Sequence, residues 1–110
     1  MPNVKIYLDH SLPEQVRLDI QATLAALGNV LCARLQVEMT ACQFAIMPVY
    51  AMAGLPSVNV ELAILPKPER TRKRLEDLAE EIQRLVGEAA GTHVAVRMVL
   101  LDPTTYIALK

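Results

Sequence analysis

The chain has 110 residues, the size of one domain, and 53% of them are hydrophobic, which is enough for a packed core and excludes a disordered chain. Eleven basic and 12 acidic residues give a net charge of −1, and aromatic residues make up only 4% of the chain. These values exclude a typical nucleic-acid-binding module, which presents a basic face and aromatic side chains that stack on bases.

No targeting or membrane-spanning segment is predicted. The opening residues lack the apolar run of a secretory signal. The longest mostly apolar stretch, residues 44–56, is shorter than the about 20 residues that span a bilayer, and it contains Pro48 and Gly54. We therefore expect a cytoplasmic protein with no membrane partner.

The cysteines and histidines predict no redox or metal chemistry. Cys32 and Cys42 lack C-x-x-C spacing, and without an export signal they are expected to be reduced thiols. His10 and His93 are far apart in the sequence, so no metal-ligand spacing links them. The sequence therefore predicts no metal and no cofactor.

The first half of the chain has the pattern of a β-α-β unit. Residues 3–8 alternate apolar and polar side chains, which indicates a half-buried strand. Ser11 and Glu14 have the spacing of a capping box before an apolar helical stripe, and Gly28 is predicted to end that helix. Residues 35–40 alternate again and predict a second strand.

The second half repeats the pattern. Residues 58–64 alternate in the same way, and they are followed by a strongly apolar helical stripe that ends at Gly87 or Gly91. Residues 94–100 then form the predicted fourth strand.

The two units together predict an α+β domain with a β-α-β-β-α-β order. A right-handed crossover makes the two strands of each unit parallel, and both helices are expected on one face of a shared, four-stranded mixed sheet. The single domain, residues 1–110, divides into a first repeat at 2–41, a linker at 42–55, a second repeat at 56–101 and a tail at 102–110. A ferredoxin-like regulatory domain has the same element order but a different strand pairing, and it is a further alternative.

The polar face of the predicted sheet is available to a ligand or to partner subunits. It is expected to carry eight side chains: Lys5, Tyr7, Gln36, Glu38, Asn59, Glu61, Ala95 and Arg97. The apolar linker is either an interface segment or a loop folded back over the sheet edge. The high aliphatic content fits an oligomer or a well-packed monomer, and the linker favours the oligomer.

Pro2 is the proline that could carry chemistry. Removal of Met1 would leave a secondary amine, and an α-amino group has a reference pKa of about 7.7–8.0. Burial or a nearby cation such as Arg97 would lower this pKa. A neutral amine is a competent general base. The alternative is that Pro2 follows an initiator methionine and has no catalytic role.

The opening Met1-Pro2 and the alternating strand that follows, the duplicated unit, the apolar linker ending in Gly54 and the strand at 94–98 together resemble the tautomerase superfamily. This superfamily includes 4-oxalocrotonate tautomerase (4-OT), 5-carboxymethyl-2-hydroxymuconate isomerase and macrophage migration inhibitory factor. The resemblance covers nearly the whole chain and is closest to uncharacterised bacterial two-repeat members. It implies a homotrimer in which an amino-terminal proline is the general base of an isomerase acting on a small enol or 2-keto acid.

The resemblance also implies arginines that hold a substrate carboxylate, and this sequence departs from that pattern. The family arginine positions fall near Leu12, Gln36 and Ala95. Arg97 lies two residues after Ala95 on the same predicted face, and it is the favoured substitute. Glu38 holds the equivalent place in the first half, so an Arg97–Glu38 pair across the sheet is the structural alternative.

The remaining candidate residue is Tyr50, which either caps the pocket of a neighbouring subunit or packs at an interface. The basic residues at 70–74 predict a solvated face of the second helix, or a rim that attracts an anionic substrate. The predicted site therefore has Pro2 as its catalytic base and Arg97, Glu38 and Tyr50 as substrate contacts. A non-catalytic oligomeric or small-ligand-binding protein on the same fold is the alternative function.

Overall fold

The computed structural model describes residues 2–110, and Met1, whose removal the Pro2 hypothesis requires, lies outside the described residues. In chain order the elements are β1 (Asn3–Asp9), α1 (Glu14–Leu35), a 3₁₀ turn (Met39–Ala41), β2 (Gln43–Val49), β3 (Val58–Ile64), α2 (Arg72–Ala90) and β4 (Val94–Leu100).

The strands form one mixed sheet in the order β2-β1-β3-β4. Strands β1 and β2 are parallel, β3 and β4 are parallel, and the central pair β1 and β3 is antiparallel. The predicted α+β class, the element order and the parallel crossovers are therefore confirmed. Because β1 is hydrogen-bonded directly to β2, the split pairing of a ferredoxin-like domain is excluded.

The core between the sheet and the two helices is aliphatic. Alternate residues of the central strands, such as Ile6 and Val60, are fully buried. The helices contribute Ile20, Leu31 and Leu78 to the same cluster. Each side chain of this kind stabilises the fold by about 1.5–3 kcal/mol when it is removed from water. The alternation therefore assigns one sheet face to the core and leaves the other face free.

Helix α1 continues through Gly28, which was expected to end it. Gly28 is buried in the helix interior, and a Cβ at this position would lie 2.6 Å from the Met39 sulfur. The helix ends instead where Gln36 adopts a left-handed conformation with φ of 55° and donates its N–H to the Cys32 carbonyl. The glycine serves close packing here, and a polar residue supplies the left-handed turn.

The second strand is Gln43–Val49, so its predicted place at 35–40 was wrong. Residues 35–40 instead hold the end of α1 and the start of the 3₁₀ turn, and β2 occupies much of the predicted linker at 42–55. The apolar character of that linker has a structural cause, because Phe44 and Ile46 pack against the core. A continuous apolar run hides the alternation that identifies a strand.

The helix starts differ from each other. Ser11 does not cap α1; its hydroxyl and N–H donate to the Asp9 carboxylate, and α1 begins at Glu14 without a side-chain cap. Helix α2 is capped by Thr71, whose hydroxyl oxygen accepts a backbone N–H. It ends at Gly91, with φ of 67°, which is one of the two glycines predicted for this end.

Helix α1 has 22 residues and a mean hydropathy of 1.2, so its length and composition would suit a membrane span. An apolar helical stripe was predicted in this segment, but not a helix long enough to span a membrane. Its Ile20, Leu27 and Leu31 side chains are buried among the sheet residues. We therefore describe α1 as a core helix of this domain.

Candidate functional site

Pro2 is buried and directly precedes the central strand β1. Its carbonyl oxygen accepts the N–H of Gln43 at 2.9 Å, which joins the first residue of β2 to Pro2. Asn3 is paired with Ala63, so the antiparallel register brings Pro2 to the end of β3, where Ile64 lies. Pro2 therefore stands at a sheet end formed by the starts of two strands and the ends of two others.

The buried cation at this sheet end is Arg70. Its side chain belongs to a residue that is only 7% exposed. The Nη1 group donates to the carbonyl of Leu65 at 2.6 Å, directly after β3, and Nη2 donates to the carbonyl of Leu35 at 3.2 Å. The Nε atom is buried and has no hydrogen-bond partner among residues 2–110. Arg70 thus carries a positive charge into the end of the domain where β1 begins.

Sequence reasoning placed Arg70 on a solvated basic face, and that prediction was wrong for this residue. Arg72 and Lys73 are exposed as expected, but Arg70 precedes the helix cap Thr71 and points back toward the end of α1. A cation is favoured there because the carbonyl end of a helix carries partial negative charge. The only signal in the sequence is the position of Arg70 one residue before a helix cap.

The outer face of the sheet carries a polar row. Lys5, Glu61 and Arg97 lie side by side across β1, β3 and β4. Arg97 donates through Nη1 to the Asn59 side-chain oxygen at 3.0 Å. Tyr7 donates to Glu61 at 3.4 Å; desolvation, and then the negative charge of Glu61, raise the pKa of the Tyr7 hydroxyl above its usual 10.0. The outer face therefore carries two polar pairs, Tyr7 with Glu61 and Arg97 with Asn59.

Of the side chains predicted for this face, those on β1, β3 and β4 are there: Lys5, Tyr7, Asn59, Glu61, Ala95 and Arg97. The register places Ala45 and Met47 of β2 beside them, where Gln36 and Glu38 were expected.

The predicted Arg97–Glu38 pair is not formed within residues 2–110. Glu38 is exposed in the segment before the 3₁₀ turn, and Gln36 is the residue that caps the end of α1. The prediction failed because it placed a strand at 35–40. Glu38 lies instead where the chain enters β2, with its carbonyl oxygen 3.8 Å from the Cys42 sulfur. It is therefore at the sheet end where β1 begins.

Arg97 and Pro2 do not meet in one copy of the chain. Arg97 shares a row of the sheet with Lys5, three residues after Pro2 and two strands away. Two strand spacings of about 4.8 Å and three residues of about 3.3 Å put the two backbones roughly 14 Å apart. That separation exceeds the length of one arginine side chain, so contact requires a second copy.

Tyr50 lies at the opposite end of the sheet from Pro2. It follows β2, whose last residue is paired with Asp9 at the end of β1. The tyrosine is 88% exposed, and its ring is tilted by 44° against His10, with 4.2 Å between the ring centroids. Within one copy Tyr50 cannot contact Pro2, but its exposed ring is available to another molecule.

Asp9 anchors the connection that contains Tyr50. Its carboxylate accepts the hydroxyl of Ser11 and, at 2.9 Å, the backbone N–H of Ala51. These two hydrogen bonds, the Ser11 hydroxyl first, lower the pKa of Asp9 below its usual 3.8. The backbone N–H of Asp9 also donates to Ser57 at 2.9 Å. The Asp9 carboxylate therefore holds one end of this connection, at Ala51, and the Asp9 backbone N–H holds the other end, at Ser57.

A cavity of about 250 Å³ lies between the end of α1 and the start of α2. Its lining includes Arg34, Arg70 and Arg74, a cationic set of the kind that binds anions. These guanidinium groups have partners inside the chain, because Arg34 binds Glu81 at 2.6 Å and Arg74 donates to the Glu69 carbonyl at 3.0 Å. The arginines that line this cavity therefore stabilise the fold through contacts within the chain.

No group of three or more His, Cys, Asp or Glu side chains in the described part of the chain could hold a metal ion. The positioned chemical groups are therefore Pro2, the buried guanidinium of Arg70, and the polar outer face with Arg97.

The sequence matches no protein-family model, and no curated protein is significantly similar to it. Solved structures do match over most of the chain. A protein of unknown function from Vibrio cholerae has a TM-score of 0.75 at 18% identity, over 97% of this chain and 83% of that chain. A macrophage migration inhibitory factor-like protein from Entamoeba histolytica has a TM-score of 0.70 at 12% identity, over 97% and 94% of the two chains.

A wild-type fused 4-OT, described as an asymmetric trimer, has a TM-score of 0.72 at 12% identity, over 96% of this chain and 91% of that chain. Identities this low establish the fold alone. The chain has the fold of the tautomerase superfamily, as its sequence resemblance implies.

Proposed function

We propose that this protein is a tautomerase in which the Pro2 amine, freed by removal of Met1, is the general base for proton transfer on a small enol or 2-keto acid. The observation that carries the proposal is the position of Pro2, buried directly before the central strand of a tautomerase fold. The Gln43 N–H holds the Pro2 carbonyl at 2.9 Å, so the ring and its nitrogen have a fixed place.

The reaction is an isomerisation. The Pro2 nitrogen accepts the proton of the enol hydroxyl while the carbonyl group forms, and the resulting ammonium returns a proton to the neighbouring carbon. Atoms and electrons balance without an added cofactor. The buried Arg70 guanidinium at the same sheet end supports the proposal, because a nearby positive charge disfavours the ammonium form of an amine. The neutral amine is the form that acts as base.

A homotrimer is part of the proposal. A single copy keeps Arg97 and Tyr50 away from Pro2, so neighbouring copies must supply them. The edge strands have exposed apolar residues suited to an interface, with Met47 of β2 at 39% exposure and Val99 of β4 at 58%. The fused 4-OT structures described as trimers support this arrangement.

In that assembly Arg97 of one copy would hold the substrate carboxylate, because a guanidinium forms a charge-assisted pair with it. Tyr50 of a neighbouring copy would close the pocket. Glu38 would contact the substrate from the same chain as Pro2, since both lie at the sheet end where β1 and β2 begin.

The proposal also places the protein in the cytoplasm, with no membrane or nucleic-acid partner. Cys32 and Cys42 are both free thiols, the state that a reducing compartment maintains.

One observation favours the alternative, a non-catalytic ligand-binding or oligomeric protein. Arg97 already donates to Asn59 and lies beside Glu61, so part of its hydrogen-bonding capacity is used within the chain. A substrate carboxylate would have to compete with these partners.

Three measurements test the proposal. Intact-mass spectrometry must show a chain without Met1, because an acylated Pro2 nitrogen is an amide and not a base. Sedimentation must show a trimer, and a monomer would remove the neighbouring copy that the site needs. Activity is then measured with the enol form of an aryl 2-keto acid, comparing the native chain with Pro2→Ala.

A further inference from the structure

Two cysteines meet at the junction between α1 and β2. Cys32 lies in the last turns of α1, and Cys42 directly precedes β2. Both are free and partly buried. Burial raises the pKa of the Cys42 thiol, and the adjacent Cys32 thiol raises it further through its charge and a hydrogen bond.

The packing of the surrounding backbone fixes this proximity. Gly28 lies against Met39, with only 2.6 Å between a Cβ built on the glycine and the methionine sulfur. Cys32 follows Gly28 by one helical turn, so it lies on the same face of α1. Cys42 follows Met39 by one 3₁₀ turn and donates its N–H to the Met39 carbonyl at 3.0 Å. A Cβ on Gly28 would also lie 3.7 Å from the Phe44 ring, and Cys42 precedes Phe44 by two residues, on the same side of the strand. Because α1 and β2 run in opposite directions, the step from Gly28 to Cys32 and the step from Phe44 to Cys42 lead toward the same end of the domain, where the two thiols face each other.

The main chain at both cysteines is also hydrogen-bonded. The Cys32 carbonyl accepts the N–H groups of Gln36 and, at 3.3 Å, Val37. The Cys42 sulfur contacts the Glu38 carbonyl oxygen at 3.8 Å. The segment between the two cysteines is therefore a short folded loop whose ends are already together.

We propose that Cys32 and Cys42 form a redox-modification site that closes to an intrachain disulfide when it meets a low-molecular-weight disulfide such as oxidised glutathione. The thiolate of one cysteine attacks the small disulfide, forms a mixed disulfide and releases one reduced thiol. The second cysteine then attacks its partner sulfur and releases the second thiol. The two protein thiols are oxidised, the small disulfide is reduced, and two protons are released or transferred.

The position of the pair gives the modification a consequence. Gln43, the residue after Cys42, donates the hydrogen bond that holds the Pro2 carbonyl at 2.9 Å. A disulfide would tie that residue to α1 and change the freedom of the strand start at Pro2. The effect on catalysis rests on the proposed function, but formation of the disulfide does not.

The test treats the folded, reduced protein with oxidised glutathione at alkaline pH, because Cys42 is mostly protonated near neutrality. Free thiols are counted, and peptides are mapped by mass spectrometry without reduction. The expected result is loss of both thiols, a Cys32–Cys42 cross-linked peptide within one chain, and full reversal by dithiothreitol.

Two variants serve as matched controls. Cys32→Ser and Cys42→Ser each lack the second thiol, so each is expected to stop at a mixed disulfide with glutathione. Circular dichroism verifies that both variants are folded. If either variant fails to fold, the Cys32–Cys42 cross-linked peptide of the native chain is the result that tests the proposal.

A stable glutathione adduct on the native chain, disulfides only between chains, or thiols that react only after unfolding would each overturn the proposal. A chain that forms the disulfide but shows no tautomerase activity in either redox state would remove the proposed function and leave the redox site standing.

Discussion

Arg70 donates through Nη2 to the main-chain oxygen of Leu35, 3.2 Å away, and so joins the segment before α2 to the last residue of α1. The same guanidinium donates to Leu65 directly after β3. One buried cation therefore links the ends of a helix and a strand at the side of the domain where Pro2 lies.

Replacing Arg70 by methionine tests this link. Each hydrogen bond from a charged group contributes about 1.5–3 kcal/mol, but removing Arg70 also removes a buried charge, so we expect a net loss of about 2–3 kcal/mol in the free energy of unfolding. Urea denaturation measures it. Arg72→Met is the control, since the Arg72 side chain is 92% exposed and its ion pair with Glu76 should contribute under about 1 kcal/mol. Equal losses in the two variants would contradict a buried structural role for Arg70.

The contact between Gly28 and Met39 predicts coupled effects of two substitutions. Alanine in place of glycine inside a helix stabilises it by about 1 kcal/mol, but here the new Cβ meets the methionine sulfur. We expect Gly28→Ala to gain less than about 0.5 kcal/mol in the native background and about 1 kcal/mol in a Met39→Ala background. Thermal unfolding of the four chains measures the difference. Additive effects would show that the two residues do not touch.

Asp9 predicts a pH dependence of stability. The hydrogen bonds to Asp9 lower the pKa of its carboxyl group in the folded protein below the usual 3.8. The ionised carboxylate therefore stabilises the folded protein above pH 3.8, and this stabilisation is lost as the pH falls through the pKa of the folded state's carboxyl group. The native chain should be more stable than Asp9→Asn at about pH 6, and the difference should shrink toward about pH 3. Ser11→Ala removes the largest cause of the shift, so its pH dependence should be intermediate. A difference that stays constant with pH would contradict this role of Asp9.

Arg97 predicts a difference between substrates. If the Arg97 guanidinium of a neighbouring copy holds the carboxylate of the substrate, Arg97→Gln should raise KM for an enolised 2-keto acid by about 10-fold to 100-fold. This factor is the equivalent of one charged hydrogen bond. The KM for an enol without a carboxylate should stay unchanged. Arg84→Gln is the control, because Arg84 is exposed on α2 and paired with Glu88. The same KM change for both substrates would exclude carboxylate recognition by Arg97.

Strands β1, β3 and β4 could be predicted from the sequence because each alternates apolar and polar residues. The start of β2 has no such pattern, since Phe44, Ala45 and Ile46 are partly buried on both faces of the sheet. The alternation at 35–40 therefore predicted a strand that the structure does not have there. The predicted Arg97–Glu38 pair was wrong for the same reason, because it assumed that Glu38 lies in that strand. The conformation of this segment depends on tertiary packing, because α1 continues past Gly28 and the glycine packs closely against Met39.

The candidate site was predicted only in part. Pro2 is identified by the residue type and its place before the first strand, and Arg97 lies on the outer face as alternation predicts. The sequence does not distinguish the buried Arg70 from its exposed neighbours. Arg70 is buried because two carbonyl groups, at Leu35 and Leu65, accept hydrogen bonds from its guanidinium group. Spacing along a sequence does not reveal such partners.

The catalytic role of Pro2 is tested most directly by ketonisation kinetics on the trimeric chain, after intact-mass spectrometry shows that Met1 is absent. Three changed chains are compared with it. Pro2→Ala replaces the secondary amine, and a one-residue extension before Pro2 converts that nitrogen to an amide. Pro56→Ala changes the proline that lies 54 positions later and precedes the first strand of the second repeat, as Pro2 precedes that of the first.

General-base catalysis contributes about 10²-fold to 10⁴-fold, so the extended chain should lose at least about 100-fold in kcat/KM. Pro2→Ala, which keeps a primary amine, should lose less, and Pro56→Ala should retain the native value. A native rate in the chain whose Pro2 nitrogen is an amide would contradict the account.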